Sequence, residues 1–201
     1  MGRHKTISDD EILAIARDVF LTRGHAASTR EIAKLAKVSE AVLYQRFGSK
    51  DALFFAAMAP SEPDLLDLLG PKEPAGDARE WLSMTVERLA GYFEEVLPRG
   101  LQVMMHPSFD MATLARTGPA LAARGLEREL TGRLRAFQER RAISAASPHA
   151  TARLLVGLAH DHALHRVVLS RGSPHESRLL EDLIEVIWRG LAPSRPKISG
   201  T

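Results

Sequence analysis

At 201 residues, 45% of them apolar, the chain can bury a core as one sizeable domain or two small ones. The absence of cysteine excludes a disulfide framework, a thiolate metal site and a cysteine nucleophile, and fits a reducing, cytoplasmic setting. Net charge is only +2, yet residues 1–50 hold nine Lys or Arg against six Asp or Glu while the remainder holds 18 against 19, so the positive excess sits at the N-terminus, a slight pointer to a nucleic-acid partner.

The opening residues MGRHKTISDDEI are charged rather than apolar, and no run of about 18 apolar residues occurs, so neither secretion nor membrane spanning is expected. A first helix is predicted from Ser8, with Glu11 as its capping-box partner, to about Arg23. Ile12, Ala16, Val19 and Phe20 fall on one stripe, and Gly24 stops the run. Ser28 and Glu31 form a second S-x-x-E box opening a helix of about two turns, whose apolar face is Ile32, Leu35 and Ala36. After a turn over Lys37, Val38 and Ser39, a third short helix capped by Ser39 is predicted to end near Phe47. Two short helices joined by a tight turn make a helix-turn-helix.

In the third helix Val38, Leu43 and Phe47 can anchor to a core, with Leu43 and Phe47 at i, i+4. The remaining face carries Glu40, Ala41, Tyr44, Gln45 and Arg46, a mixture suited to a major groove. Arg46 can donate two bonds to guanine, Gln45 can pair with adenine, and Ala41 permits close approach to a thymine methyl. Tyr44 suits a phosphate. Ser28, Thr29 and Arg30 at the start of the second helix offer N–H groups, hydroxyls and a cation to a phosphate oxygen, and Lys50 with Ser49 grips the backbone on the other side. The same exposed polar face is also what a merely solvated helix shows.

The run ILAIARDVFLTRGHAASTREIAKLAKVSEAVLYQRFGSKDAL, Ile12 to Leu53, resembles the DNA-binding domain of the TetR (tetracycline-repressor-like) family of transcriptional regulators. The matching features are A-x-x-x-F-x-x-x-G from Ala16 to Gly24, S-T-R-E-I-A from Ser28, and V-S-x-x-x-L-Y-x-x-F-x-S-K from Val38. The resemblance implies that operator contacts fall at Ser28, Thr29, Arg30, Ser39, Glu40, Ala41, Tyr44, Gln45, Arg46 and Lys50. It implies an all-α fold, a homodimer on a palindromic operator, and a small-molecule effector that releases a repressor from double-stranded DNA. One departure is Lys37, at a turn position that is usually glycine in the family; a left-handed backbone there would cost lysine about 1 kcal/mol relative to glycine.

A helix-turn-helix domain is therefore expected over residues 1–50 and a helical ligand-binding and dimerisation domain over 51–201. A fourth helix is predicted over Lys50 to Ala59, then an irregular Pro- and Gly-broken stretch, with a turn or two of helix from Ser61 to Leu69 ended by Gly70. Further helices are predicted over Asp77 to Leu97, around Leu101 to Met105 and Phe109 to Thr117, and from about Pro119 to Arg141, the last with core residues Leu126, Leu130, Leu134 and Phe137. The family counterpart of this region holds a ligand cavity. Its expected lining here is Met84, Phe93, Met104, Met105, His106, Phe109 and Met111, with His160 adding a hydrogen bond; methionines also serve as ordinary core filler.

HDHALH, His160 to His165, lacks the convergent third or fourth ligand a zinc site needs, and no metal or cofactor is expected. A helix from Pro148 to about Arg171 is apolar almost all round. The final helix, Glu176 to Leu191, carries Leu180, Leu183, Ile184, Ile187, Trp188 and Leu191, a stripe wide enough for a four-helix dimer interface. The tail from Pro193 to Thr201 is expected to be disordered. The rivals are an all-α metal-dependent enzyme and a helical interaction protein without DNA binding. No nucleophile–base pair, carboxylate dyad or phosphate loop is present, and an enzyme is not expected.

Overall fold

The computed structural model describes residues 7–60, 63–110, 119–144, 147–168 and 174–192, with the backbone alone over 119–123 and 174–177. Among the described residues all regular structure is helical: α1 Asp9–Arg23, α2 Thr29–Ala36, α3 Glu40–Phe47, α4 Lys50–Met58, α5 Leu65–Leu69, α6 Ala78–Met104, α7 Pro119–Glu139, α8 Pro148–Val168 and α9 Pro174–Leu191, with one 3-10 turn at Gly24–Ala26. None of these helices is long and apolar enough to cross a membrane. Met111, most of the expected Phe109 to Thr117 helix, Ser61 and the 193–201 tail lie outside the described residues.

The chain forms two compact units, and they do not part at residue 50. The first comprises residues 1–61 and 98–118, the second 62–97 and 119–201. The physical reason is burial: Leu53, Phe54, Ala57 and Met58 of α4 share one apolar cluster with Ile12, Ala16 and Phe20 of α1, and Val103 near the end of α6 packs against the same cluster. The long α6 runs through both units, with Pro98 inside it at the division.

In the first unit, α1 begins as the sequence directs. Ser8 Oγ accepts from the Glu11 N–H at 3.2 Å, and the Ser8 N–H donates to the Glu11 carboxylate at 2.8 Å. Gly24, at φ 65°, ends the helix in a backbone region that L side chains resist. The box expected at the start of α2 does not close, since Ser28 makes no side-chain cap and Glu31 pairs instead with Arg23 at 3.0 Å. Leu35 also departs from its expected place: it is 54% exposed, and Ala33 takes the buried position beside Ile32 and Ala36. The short α2 presents a face only wide enough for one large side chain.

The end of α2 holds Lys37 in the left-handed region at φ 56°, ψ 38°. The Val38 N–H reaches back to the Ala33 carbonyl at 3.0 Å, closing a Schellman motif, and Val38 packs against the core. Lysine thus occupies a seat that favours glycine. Lys37→Gly is expected to stabilise the protein by about 0.5–1 kcal/mol, the relief of left-handed strain exceeding the added freedom of the unfolded chain. Urea unfolding measures this; a loss of stability would show that the lysine side chain contributes more than its backbone strain removes.

The second unit packs α5 to α9 around Leu68, Leu69, Trp81, Leu82, Val86, Leu89, Phe93, Leu126, Leu130, Leu134, Phe137, Leu155 and Ile184. The N-cap of α5 is Asp64, whose carboxylate accepts from the Leu66 and Asp67 N–H groups. Trp81 donates its indole N–H to the Leu69 carbonyl at 2.9 Å and lies against the Phe137 ring. The Pro- and Gly-broken stretch after α5 is tied down at both ends, by α7 and by the residue that follows it. Arg133 donates to the Gly70 carbonyl at 2.7 and 3.1 Å, and Arg140 to the Gly76 carbonyl at 2.9 Å. Across the unit, hydrogen bonds from Arg189 and then Arg79 hold the Glu185 carboxyl below its ordinary range.

Candidate nucleic-acid interface

The helix-turn-helix pair is held by a side-chain network that its spacing creates. Thr29, on the first turn of α2, is only 8% exposed and donates its hydroxyl to Glu40 on α3 at 2.9 Å. With that proton committed, the Tyr44 phenol 3.3 Å away is the donor in its contact with Thr29. Arg30 reaches the other Glu40 oxygen at 3.3 Å. Thr29, Glu40 and Tyr44 thereby brace α2 against α3 and set the angle between them. Spacing along the chain assigns all three only an outward role, because residues 11 and 15 positions apart carry no local signal of contact.

What remains outward on α3 is Ala41 and Gln45, both exposed, with the Tyr44 ring 45% exposed beside them. Leu43 is buried on the opposite side, with Val38 and Phe47 partly so. Arg46 corrects the expectation of a side chain open to a guanine. It is 24% exposed, and its Nη1 donates to the Ile7 carbonyl at 2.8 Å and to Asp9 at 3.0 Å. One arm of its fork is thus spent on the start of α1, so the two-bond guanine contact requires that clamp to open.

The phosphate-facing candidates are arranged around this face. Ser28 is exposed and leaves the first N–H groups of α2 without a side-chain cap, where the partial positive charge of a helix N-terminus resides. Ser39 caps α3 by accepting from the Val42 N–H at 3.3 Å, and Ser49 caps α4 by accepting from the Ala52 N–H at 3.0 Å. Lys50 opens α4, partly exposed and with no partner among the described residues.

The expected ligand-contacting residues do not gather in one unit. Met104, Met105, His106 and Phe109 belong to the first, whereas Met84, Phe93 and His160 belong to the second. Met84, Met104, Met105 and His160 are exposed, and Phe109 is partly buried. Phe93 is a core residue that meets the His160 ring edge-on at 5.3 Å. His106 is buried in the first unit, stacked at 4.6 and 4.8 Å on Phe54 and Phe55 of α4. Its Nδ1 accepts from the Ser108 N–H at 3.1 Å and its Nε2 stands 3.6 Å from Asp51. The surroundings of His106 are those of a packing residue, a role that a lone histidine in sequence does not announce.

In HDHALH, His162 is buried, while His165 turns its Nδ1 to the carbonyl of Asp161 at 3.1 Å. Among the described residues, no group of three or more His, Cys, Asp or Glu side chains stands where it could share a metal ion.

Residues 12–57 match the family model for bacterial regulatory proteins of the tetR family. Solved structures are similar over nearly the whole chain. A candidate TetR-family transcriptional regulator from Mesorhizobium loti is 21% identical at a TM-score of 0.68, with 92% of this chain and 96% of that one covered. The TetR-family regulator PfmR from Thermus thermophilus is 22% identical at 0.61, covering 92% and 100%. A chain studied as the molecular basis for control of antibiotic production by bacterial hormones is 21% identical at 0.65, covering 92% and 97%. These likenesses establish a shared all-helical fold.

Proposed function

We propose that the chain, whose residues 12–57 match the family model for bacterial regulatory proteins of the tetR family, is a DNA-binding transcriptional regulator of that kind: a cytoplasmic repressor, bound as a homodimer to a near-palindromic operator and released by a small-molecule effector in its second unit. The observation that carries the reading is the outward face of α3, where Ala41 and Gln45 stand clear of the brace formed by Thr29, Glu40 and Tyr44. A small residue and an amide one turn apart suit a thymine methyl and an adenine edge. Ser28, Arg30, Ser39 and Lys50 surround them with donors for phosphate oxygens. Arg46 contributes positive charge beside the groove and joins base reading only if it leaves Asp9.

Dimerisation is supported by the apolar side chains that α8 and α9 leave uncovered. Leu154 and Val168 on α8 and Leu179 and Val186 on α9 are exposed, with Leu158, Leu183, Ile187 and Trp188 partly so. An uncovered apolar surface of this kind can close a two-fold pair, and a two-fold reader of DNA calls for half-sites about one turn apart. Release by a small molecule is supported by the structural neighbour concerned with bacterial hormones. An effector shifts the equilibrium only by its differential affinity for the two states, about 1.4 kcal/mol for each tenfold preference.

Selection from random duplexes tests the function and is expected to return paired, inverted half-sites. On that operator, Gln45→Ala should remove preference at one base pair per half-site, about 1–3 kcal/mol of discrimination. Lys50→Ala should weaken binding to every duplex and lower the salt slope by about one. Uniform loss in Gln45→Ala, or recovery of single half-sites alone, would refute the respective parts of this reading.

A further inference from the structure

In the second unit, the outer face of α7 and the first turn of α8 enclose an open concavity of about 540 Å³. Arg124, Arg128 and Arg135 line it, joined by His149 from α8 and by a single carboxylate, Glu127. The three arginines fall on one side of α7 by the helical repeat, and all are exposed. None of the three has a hydrogen bond or ion pair among the described residues. Other arginines of the same unit are engaged: Arg79 and Arg189 with Glu185, Arg88 with the Asp67 carbonyl, Arg133 with Glu129 and Gly70, and Arg166 with Glu94. Arg141, Arg153 and Arg178 are also exposed and unengaged among the described residues, and what sets Arg124, Arg128 and Arg135 apart is that they line one concavity together.

We propose that this concavity binds a small phosphate-bearing polyanion. The three guanidinium groups outnumber the lone carboxylate by two, so the free site repels itself, and like charges one turn apart on a helix disfavour each other until a counter-charge arrives. Planar forks match phosphate oxygens in pairs, which an ammonium cannot do. The floor includes Gly132, where an added Cβ would meet nothing within 4 Å, so it leaves open space beneath an anion. The volume lies within the roughly 300–1,000 Å³ of small-molecule sites. This inference does not depend on the DNA-bound state, since the site lies wholly in the second unit.

Pyrophosphate is the probe, titrated calorimetrically into the full-length protein without DNA, at ionic strength held constant with sodium chloride. Saturable binding is expected, weakened about tenfold or more in the Arg128→Gln, Arg135→Gln double variant and unchanged in Lys50→Ala. The double variant should retain operator binding and the melting temperature of the anion-free protein. The proposal is overturned if pyrophosphate shows no saturable binding, or if the double variant binds it as the parent does. Loss of binding in Lys50→Ala would assign the anion to the DNA face and overturn it too. A change of molecular mass in the double variant would give the concavity to a second copy of the chain, with the same consequence.

Discussion

Phe54→Ala is expected to destabilise the DNA-reading unit by about 3–5 kcal/mol, enough to abolish operator binding at 37 °C in a unit of this size. Phe54 is 1% exposed and meets three partners: the Phe20 ring of α1 edge-on at 5.1 Å, the Phe55 ring at 5.4 Å and the His106 ring at 4.6 Å. Truncation therefore opens a cavity where α1, α4 and the segment beyond α6 meet. The surrounding rings sit on three different stretches of backbone, and full collapse into the void would need all three to shift. Hydrogen exchange should show protection lost together in α1, α4 and residues 98–104, while α7 and α8 stay protected. A variant that unfolds within about 1 kcal/mol of the parent would show that this junction is not the keystone of the unit.

Arg133→Ala is expected to cost about 3–5 kcal/mol in the second unit, the range for removing one member of a buried charged cluster. The side chain is 3% exposed, and its loss leaves the Gly70 carbonyl without two donors and Glu129 without its cation. Arg133→Lys keeps the charge but cannot reach the carbonyl with two N–H groups at once, so it should fall between alanine and the parent. Because Arg133 and Arg140 together fasten the 70–76 stretch, limited proteolysis should cut there first in the alanine variant. Cleavage at the same rate in parent and variant would mean that the loop is held by something other than these bonds.

Helix order and the main core stripes are legible in the sequence because their signals are local. Ser8 with Glu11, and Ser39, cap as their spacing indicates, and Ile12, Ala16, Val19 and Phe20 are buried as their period requires. The failures come from interactions that cross the chain. Ser28 has the spacing of a cap, but Arg23 draws Glu31 away. Arg46 has no local partner, yet the start of α1, 37 residues earlier, supplies Asp9. Thr29 suits a phosphate contact until Glu40 takes its hydroxyl proton. Pro98 suggests a helix end near Leu97, yet α6 continues through it to Met104. His106 and Met104 resemble cavity residues because nothing in their neighbourhood tells that this part of the chain returns to the α4 side. The outward face of α3 is legible for the opposite reason: an eight-residue helix with one buried anchor has few ways to turn.

The split membership of α6 bears on how the molecule is made. Residues 98–110 supply part of the first unit, including Val103 and the buried His106, so the stretch before residue 61 does not hold every piece of its own interior. During synthesis the N-terminal helices emerge first yet must wait, with Phe54 and Met58 uncovered, until some forty further residues have left the ribosome. Trimming the gene to its recognisable DNA-reading segment would leave that wait without an end, and the shortened product should clump rather than fold.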